Sequence, residues 1–339
     1  MNGREGDIVE TDARILFDVK GLIHPANRIV AFIRYFPDLE GKRRKNGIAF
    51  EKIYSLPERY ALLKARFPRY LVYDPVLDET ICEVPVNEIK KHYKPCDGLR
   101  ELHASSHLDE LGSKALQLTD ALRERANIPH NSVGISGSIL IGLHTPKSDI
   151  DPIIYGSENC YRVHSTLREL LNSENETFKS YTKEELRTLF DFRSKDTTTG
   201  FKDFVRTESR KAIQGKFMGT DYFVRFVKDW NEIDEKYGDI QYKNVGYARI
   251  KAVISDCSES IFTPCKYKIE QVTVIEGTGL PIQEIASFRG RFCEQARNGE
   301  TVVAQGKVER VIDNKHNREW FRLLLGNNPS DFVILAKLD

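Results

Sequence analysis

Four residues stand out by type and spacing: Gly137 and Ser138, then, after a spacer of ten residues, Asp149 and Asp151. They lie in VGISGSILIGLHTPKSDIDPIIYG, residues 133–156. Glycine in a tight turn lets the backbone come close to a ligand. A serine where a helix begins adds a hydroxyl beside backbone N–H groups that have no carbonyl partner. Such a turn welcomes an anion. In an extended segment Asp149 and Asp151 point to one face and Ile150 to the other, which forces two carboxylates together. Like charges so placed call for a cation, and hard oxygen ligands suit Mg²⁺ or Mn²⁺ bridging to phosphate oxygens.

Several elements must hold these groups in place. Residues 133–135 read as a short apolar strand, 136–138 as a small-residue turn, 139–143 as a helical turn or two, and 149–155 as a second strand opening on the two acids. Upstream, Ser106 can cap a helix with Asp109 in its first turn. Leu108, Leu111, Leu116, Leu118 and Leu122 give it an apolar side, and Asn127-Ile128-Pro129 stops it. Downstream, a helix is expected over 161–171, and Thr182-Lys183-Glu184-Glu185 is a capping box opening another through Phe190. Residues 201–213 read as a charged helix on which Arg206 and Arg210 share a face. Residues 220–227 form a strongly β-prone segment with one acid, Asp221, near its start. Each half of the four-residue pattern alone also describes an ordinary strand-to-helix turn or a solvated strand end; order and spacing together make it a motif.

Gly137-Ser138 followed by Asp149-Ile150-Asp151, with Gly142 and Ser148 in matching places, resembles the signature of the DNA polymerase beta-like nucleotidyltransferase superfamily. The whole chain also resembles a set of archaeal proteins known mainly as predicted nucleotidyltransferases. The resemblance implies a metal-dependent enzyme that moves a nucleoside monophosphate from a nucleoside triphosphate to an acceptor hydroxyl, RNA or other, releasing pyrophosphate. It implies that Asp149 and Asp151 hold the metals and that a third carboxylate comes from a later strand. Asp221 is the best placed, with Asp203 and Glu208 in reserve. Gly137 and Ser138 would seat phosphates. Arg210 and Lys211, or Arg225 and Lys147, would balance the triphosphate charge, although a solvated helix face explains Arg210 and Lys211 equally well. The alternative is a non-catalytic nucleotide- or nucleic-acid-binding protein that retains the fold.

The expected fold class is α+β, a central polymerase-beta-like α/β unit over 99–240 between an α+β domain over 1–98 and a small β domain over 241–339. In the first, residues 14–19, 29–36, 70–76 and 81–84 read as strands and 56–67 as a helix. The basic run 42–45 sits at a hairpin tip, and a linker is expected over 92–98, where Pro95 and Gly98 interrupt regular structure. Residues 227–237 read as a charged helix or connector. Strands are expected at 267–276, 301–304, 307–312, 320–325 and 332–336, forming a barrel or sandwich. Within it, Ser287-Phe288-Arg289-Gly290-Arg291-Phe292 interleaves aromatic and guanidinium groups. A base-stacking surface and a bent strand with buried rings explain this equally.

With 51 basic and 50 acidic side chains, the composition makes no global electrostatic case for a polyanion, so any RNA surface must be local. Six cysteines without a CxxC pair argue against a zinc ribbon and for free thiols. No apolar run approaches the roughly 20 residues that span a bilayer, and residues 1–10 are polar and acidic rather than a signal peptide, so a cytoplasmic protein is expected.

Overall fold

Strand alternation in the first third of the chain builds a curved sheet. The computed structural model describes residues 2–174, 176–194 and 198–336. Its first strands are β1 (Ile8–Thr11), β2 (Leu16–Val19), β3 (Arg28–Pro37), β4 (Arg43–Lys45) and β5 (Ile48–Lys52). Helix α1 (Leu56–Arg66) follows, then β6 (Leu71–Asp74), β7 (Glu79–Pro85) and β8 (Ile89–Tyr93). They form a half-barrel of order β4-β5-β3-β2-β1-β8, with β7 pairing to β3 and β6 to β7. Ile29, Ala31, Ile33 and Tyr35 of β3 are buried, while Arg28, Val30, Phe32 and Arg34 are half-buried on its other face. Helix α1 starts at a Ser55–Glu58 capping box and packs Leu63 into this core.

The central unit comprises α2 (Pro95–Ala104), α3 (Glu110–Arg125), β9 (Val133–Ile135), α4 (Gly137–Leu140), β10 (Pro152–Tyr155) and α5 (Ser157–Asn172). It continues through β11 (Phe178–Lys179), α6 (Lys183–Arg193), α7 (Phe201–Glu208), β12 (Gln214–Phe217), β13 (Thr220–Phe223) and β14 (Arg225–Val227). β10 lies between antiparallel β9 and parallel β14, and β11, β12 and β13 make a second small sheet. Last come β15 (Ile240–Asp256), β16 (Cys265–Gly277), β17 (Ile282–Ser287), β18 (Thr301–Asp313), β19 (Arg318–Leu325) and β20 (Phe332–Leu335). Because β15 pairs with both β16 and β18, the path β16-β17-β19-β18 returns to it and closes a barrel, with β20 added on β18. One hydrophobic core runs from α3 through the central sheet into this barrel; the half-barrel has its own. A third cluster joins them, with Tyr35, Phe50 and Tyr93 packed against Ile141 and Leu143. Among the described residues no helix is long and apolar enough to cross a membrane.

Several local expectations change. The stretch 92–98 is not a linker: β8 runs to Tyr93 and α2 opens at Pro95, where proline is well tolerated because a first-turn N–H has no partner. Gly98 lies inside that helix, where a Cβ would come 2.4 Å from Leu140 Cδ1. The cap of α3 is Asp109 itself, which accepts from Gly112 N at 2.8 Å. The basic run is strand β4, and the turn falls on Asn46 and Gly47 beyond it. Residues 301–304 and 307–312 belong to one strand. Of 227–237, only Trp230–Glu232 makes a single helical turn.

Candidate active site

The turn after β9 is built on close approach. Ser136 is extended and its hydroxyl donates to the Gly6 carbonyl at 2.6 Å. Gly137 follows with φ 62°, and a Cβ there would lie 1.9 Å from Asp151 Oδ2. Glycine is therefore required twice over, by the backbone and by the carboxylate pressed against it. Ser138 is 3% exposed, and its hydroxyl has no hydrogen-bond partner among the described residues. Buried hydroxyls usually find one, so this group stands ready for a ligand atom.

The loop before the acids is clamped from the half-barrel. Arg43 Nη1 donates to Leu143 O at 3.0 Å and to Ser148 Oγ at 3.1 Å, and Thr145 N also donates to that hydroxyl at 3.0 Å. Ile150 N then donates to Asp221 O at 2.9 Å, and Phe223 N to Ile150 O at 3.0 Å, pairing Ile150 in parallel with Tyr222. This register sets Asp149 beside Asp221. Alternation puts Asp149, Asp151 and Asp221 on one face and the buried Ile150 and Tyr222 on the other.

The three carboxylates are not equivalent. Asp149 and Asp221 are exposed and Asp151 is half-buried. Asp221 Oδ1 lies 3.1 Å from Lys216 Nζ, its neighbour across the β12–β13 ladder. Among the described residues no three His, Cys, Asp or Glu side chains stand close enough to hold a metal ion as they are placed. Burial, and then the charge on Asp149, push Asp151 up to about 7, against the pull of Arg225, Lys52 and Arg34. Behind it, Arg225 Nη1 lies 3.2 Å from Glu5 Oε1, which also takes Lys20 Nζ at 2.8 Å. The chain's first residues thus reach into the site.

The carboxylates line a cavity of about 1120 Å³ where all three parts of the fold meet. That exceeds the roughly 300–1,000 Å³ of small-ligand pockets, so a nucleotide would leave room for a second reactant. Phe32, Arg34, Lys52 and Tyr54 come from the half-barrel, Tyr181, Phe192 and Arg225 from the central unit, and Lys266, Phe288, Arg289 and Arg291 from the barrel and its loops. Phe292, by contrast, is buried in the core.

Arg210 and Lys211 are placed elsewhere. Helix α7 ends at Glu208, so Arg210 shares no helix face with Arg206. Arg210 makes two bonds of 2.6 Å to Glu300, and Lys211 is buried 2.7 Å from Glu208 Oε1 while donating to Arg291 O at 2.7 Å. Neither lines the cavity. Of the reserve acids, Glu208 is consumed by Arg193, Lys211 and Gln214. Arg34 and Lys52 were not foreseen. The available signal was the period of β3, which places one arginine in line with Val30 and Phe32 on the face turned from the core.

A strand, a tight glycine turn and a short helix thus precede the paired aspartates, which lie just before β10. Residues 117–217 match the family described as the nucleotidyltransferase domain, a span that includes Gly137, Ser138, Asp149 and Asp151 and stops short of Asp221. Along its whole length the chain is 32% identical over 348 aligned positions to the uncharacterized protein MJ1086 of Methanocaldococcus jannaschii, covering 99% of that protein. No solved structure matches the chain. The protein belongs to the family of this archaeal relative and carries a nucleotidyltransferase domain of the polymerase beta-like superfamily.

Proposed function

We propose that the protein is a metal-dependent nucleotidyltransferase that moves a nucleoside monophosphate from a nucleoside triphosphate to an acceptor hydroxyl and releases pyrophosphate. The observation that carries this reading is the parallel pairing of Ile150 with Tyr222, which gathers Asp149, Asp151 and Asp221 on one face beside a cavity roomy enough for two reactants. The donor set fits Mg²⁺ or Mn²⁺. Its oxygens are hard, one carboxylate raises the proton affinity of the next, and the Ser138 hydroxyl lacks a partner among the described residues. Asp149 and Asp151 would hold the metal, with Asp221 joining them on giving up Lys216. Bound there, it would lower the pKa of the acceptor hydroxyl and neutralise charge on the leaving pyrophosphate.

The chain's own groups do the rest. Gly137 lets the turn press on Asp151 and fix its carboxylate. Ser138 offers its hydroxyl to a phosphate oxygen. Arg225, held by Glu5, keeps positive charge behind the acids. From the barrel side of the same cavity, Phe288, Arg289 and Arg291 suit the bases and phosphates of a single-stranded RNA end as acceptor. Six free cysteines, four of them buried, fit a reducing, cytosolic setting.

A second reading, a nucleotide-binding protein without chemistry, is favoured by one observation: Asp221 is engaged by Lys216. The deciding experiment measures pyrophosphate release from each of the four ribonucleoside triphosphates with Mg²⁺ or Mn²⁺ and total RNA. Wild-type release should fall about a hundredfold or more in Asp149→Ala, with its melting unchanged. Binding of a triphosphate without release by the wild type, across RNA, protein and small-molecule acceptors, would establish the second reading instead.

A further inference from the structure

The half-barrel presents two cations to the carboxylate site, one of them loosely paired and the other without an ion pair among the described residues. Arg34 of β3 has its Nε 3.6 Å from Asp18 Oδ2, and its side chain makes no hydrogen bond among the described residues. The side chain of Lys52, at the end of β5, has neither an ion pair nor a hydrogen bond among them. Both line the cavity, and both lie within electrostatic reach of Asp149 and Asp151. A lysine turned into a cavity with no anion paired to it among the described residues, beside an arginine held only by a 3.6 Å contact to Asp18, is an arrangement that an incoming anion completes.

The same corner carries an aromatic pair. Tyr54 and Phe192 are 44% and 48% exposed and meet edge to face, with centroids 5.6 Å apart. One ring comes from the half-barrel and the other from α6. Lys52 Nζ lies 4.7 Å and Arg34 Cζ 5.7 Å from the Tyr54 ring centroid. Exposed rings beside cations match a ligand with a flat, stackable end and a polyanionic end.

Resting on the nucleotidyltransferase reading, we propose that Arg34 and Lys52 bind the phosphates of the nucleoside triphosphate whose reaction Asp149 and Asp151 serve, and that the Tyr54–Phe192 pair receives its base. The half-barrel is thereby part of the active site and not a separate binding module. The triphosphate bridges two domains: its tail lies between the central carboxylates and the half-barrel cations, and its base lies at their seam. Arg210 and Lys211, fixed in ion pairs with Glu300 and Glu208, take no part.

The test is calorimetric binding to the full-length protein, with Mg²⁺ present, of each nucleoside triphosphate and of inorganic tripolyphosphate. Lys52→Ala removes no protein–protein ion pair and should fold normally. It should weaken both the bound nucleotide and tripolyphosphate about tenfold or more, and Lys52→Arg should restore most of the loss. Arg34→Gln, checked by thermal melting, should do the same. Tyr54→Ala should weaken the nucleotide and leave tripolyphosphate unchanged. Wild-type affinity in both Lys52→Ala and Arg34→Gln overturns the assignment while leaving nucleotidyl transfer intact. Absence of triphosphate binding to the wild type overturns the transferase reading, and this inference falls with it.

Discussion

At position 137 the sequence motif and the geometry have one physical cause. The positive φ costs a non-glycine residue roughly 1–2 kcal/mol, and the first carbon of any side chain would collide with Asp151 Oδ2. The glycine therefore serves the carboxylate directly, as well as any phosphate above the turn. Gly137→Ala should destabilise the protein by about 2 kcal/mol in urea titration and abolish pyrophosphate release, because Asp151 must move to make room. A variant that melts earlier but turns over at the wild-type rate would show that the position of Asp151 is not critical. Gly-Ser and the paired acids were legible in the sequence because the constraint is local: a few bonds fix it. Arg34 and Lys52 were not, because they meet the acids only through the packing of two domains.

Among elements, the β6–β7 hairpin carries a pH-sensitive contact. Asp74 and Glu83 are 1% and 2% exposed, and Tyr237, in the connection to the barrel, donates its hydroxyl to Asp74 Oδ1 at 2.8 Å. The other oxygen of Asp74 has no partner among the described residues, and a proton on Glu83 supplies one. Burial, and then Asp74, push Glu83 up to about 7 from an ordinary 4.5. A folded-state pKa above the unfolded one means the native protein holds this proton longer. Stability is then intact below pH 4.5 and falls as pH rises through 7, by about 3 kcal/mol once both states are ionised. Glu83→Gln keeps a donor facing Asp74 at every pH. It should flatten the pH dependence of urea unfolding between pH 5 and 8 and exceed wild-type stability at pH 8. An unchanged slope would mean that another group carries the proton. Helix starts were readable here and elsewhere: the capping box at Thr182 opens α6 as its residues imply. Less readable was the end of α7 at Glu208, whose carboxylate is buried against Arg193, fifteen residues upstream, as well as against the nearby Lys211.

On the scale of the whole molecule, a nearly neutral chain joins its parts through ion pairs such as Glu5–Arg225 and Arg210–Glu300. The three-part architecture could be read from changes in hydrophobic period along the chain. Its assembly could not, because the cavity exists only where Glu5, Arg225, Lys52 and Phe288 arrive from distant positions. Arg210 illustrates the difference. Beside a candidate nucleotide site in sequence, it reads as a phosphate ligand; in the fold it joins the segment after α7 to Glu300, just before β18, and so helps fasten the central unit to the barrel. The pair is partly exposed, with 22% and 29% of the two side chains accessible, which limits its worth to about 1 kcal/mol. Arg210→Ala should therefore lower the melting temperature slightly, keep the KM for the triphosphate, and show a smaller loss as salt is raised. Lys52→Ala should behave in the opposite way, raising KM with little change in melting. If Arg210→Ala raised KM as much as Lys52→Ala, the separation of fastening cations from substrate cations would fail, and the barrel would have to be counted among the parts that hold the nucleotide.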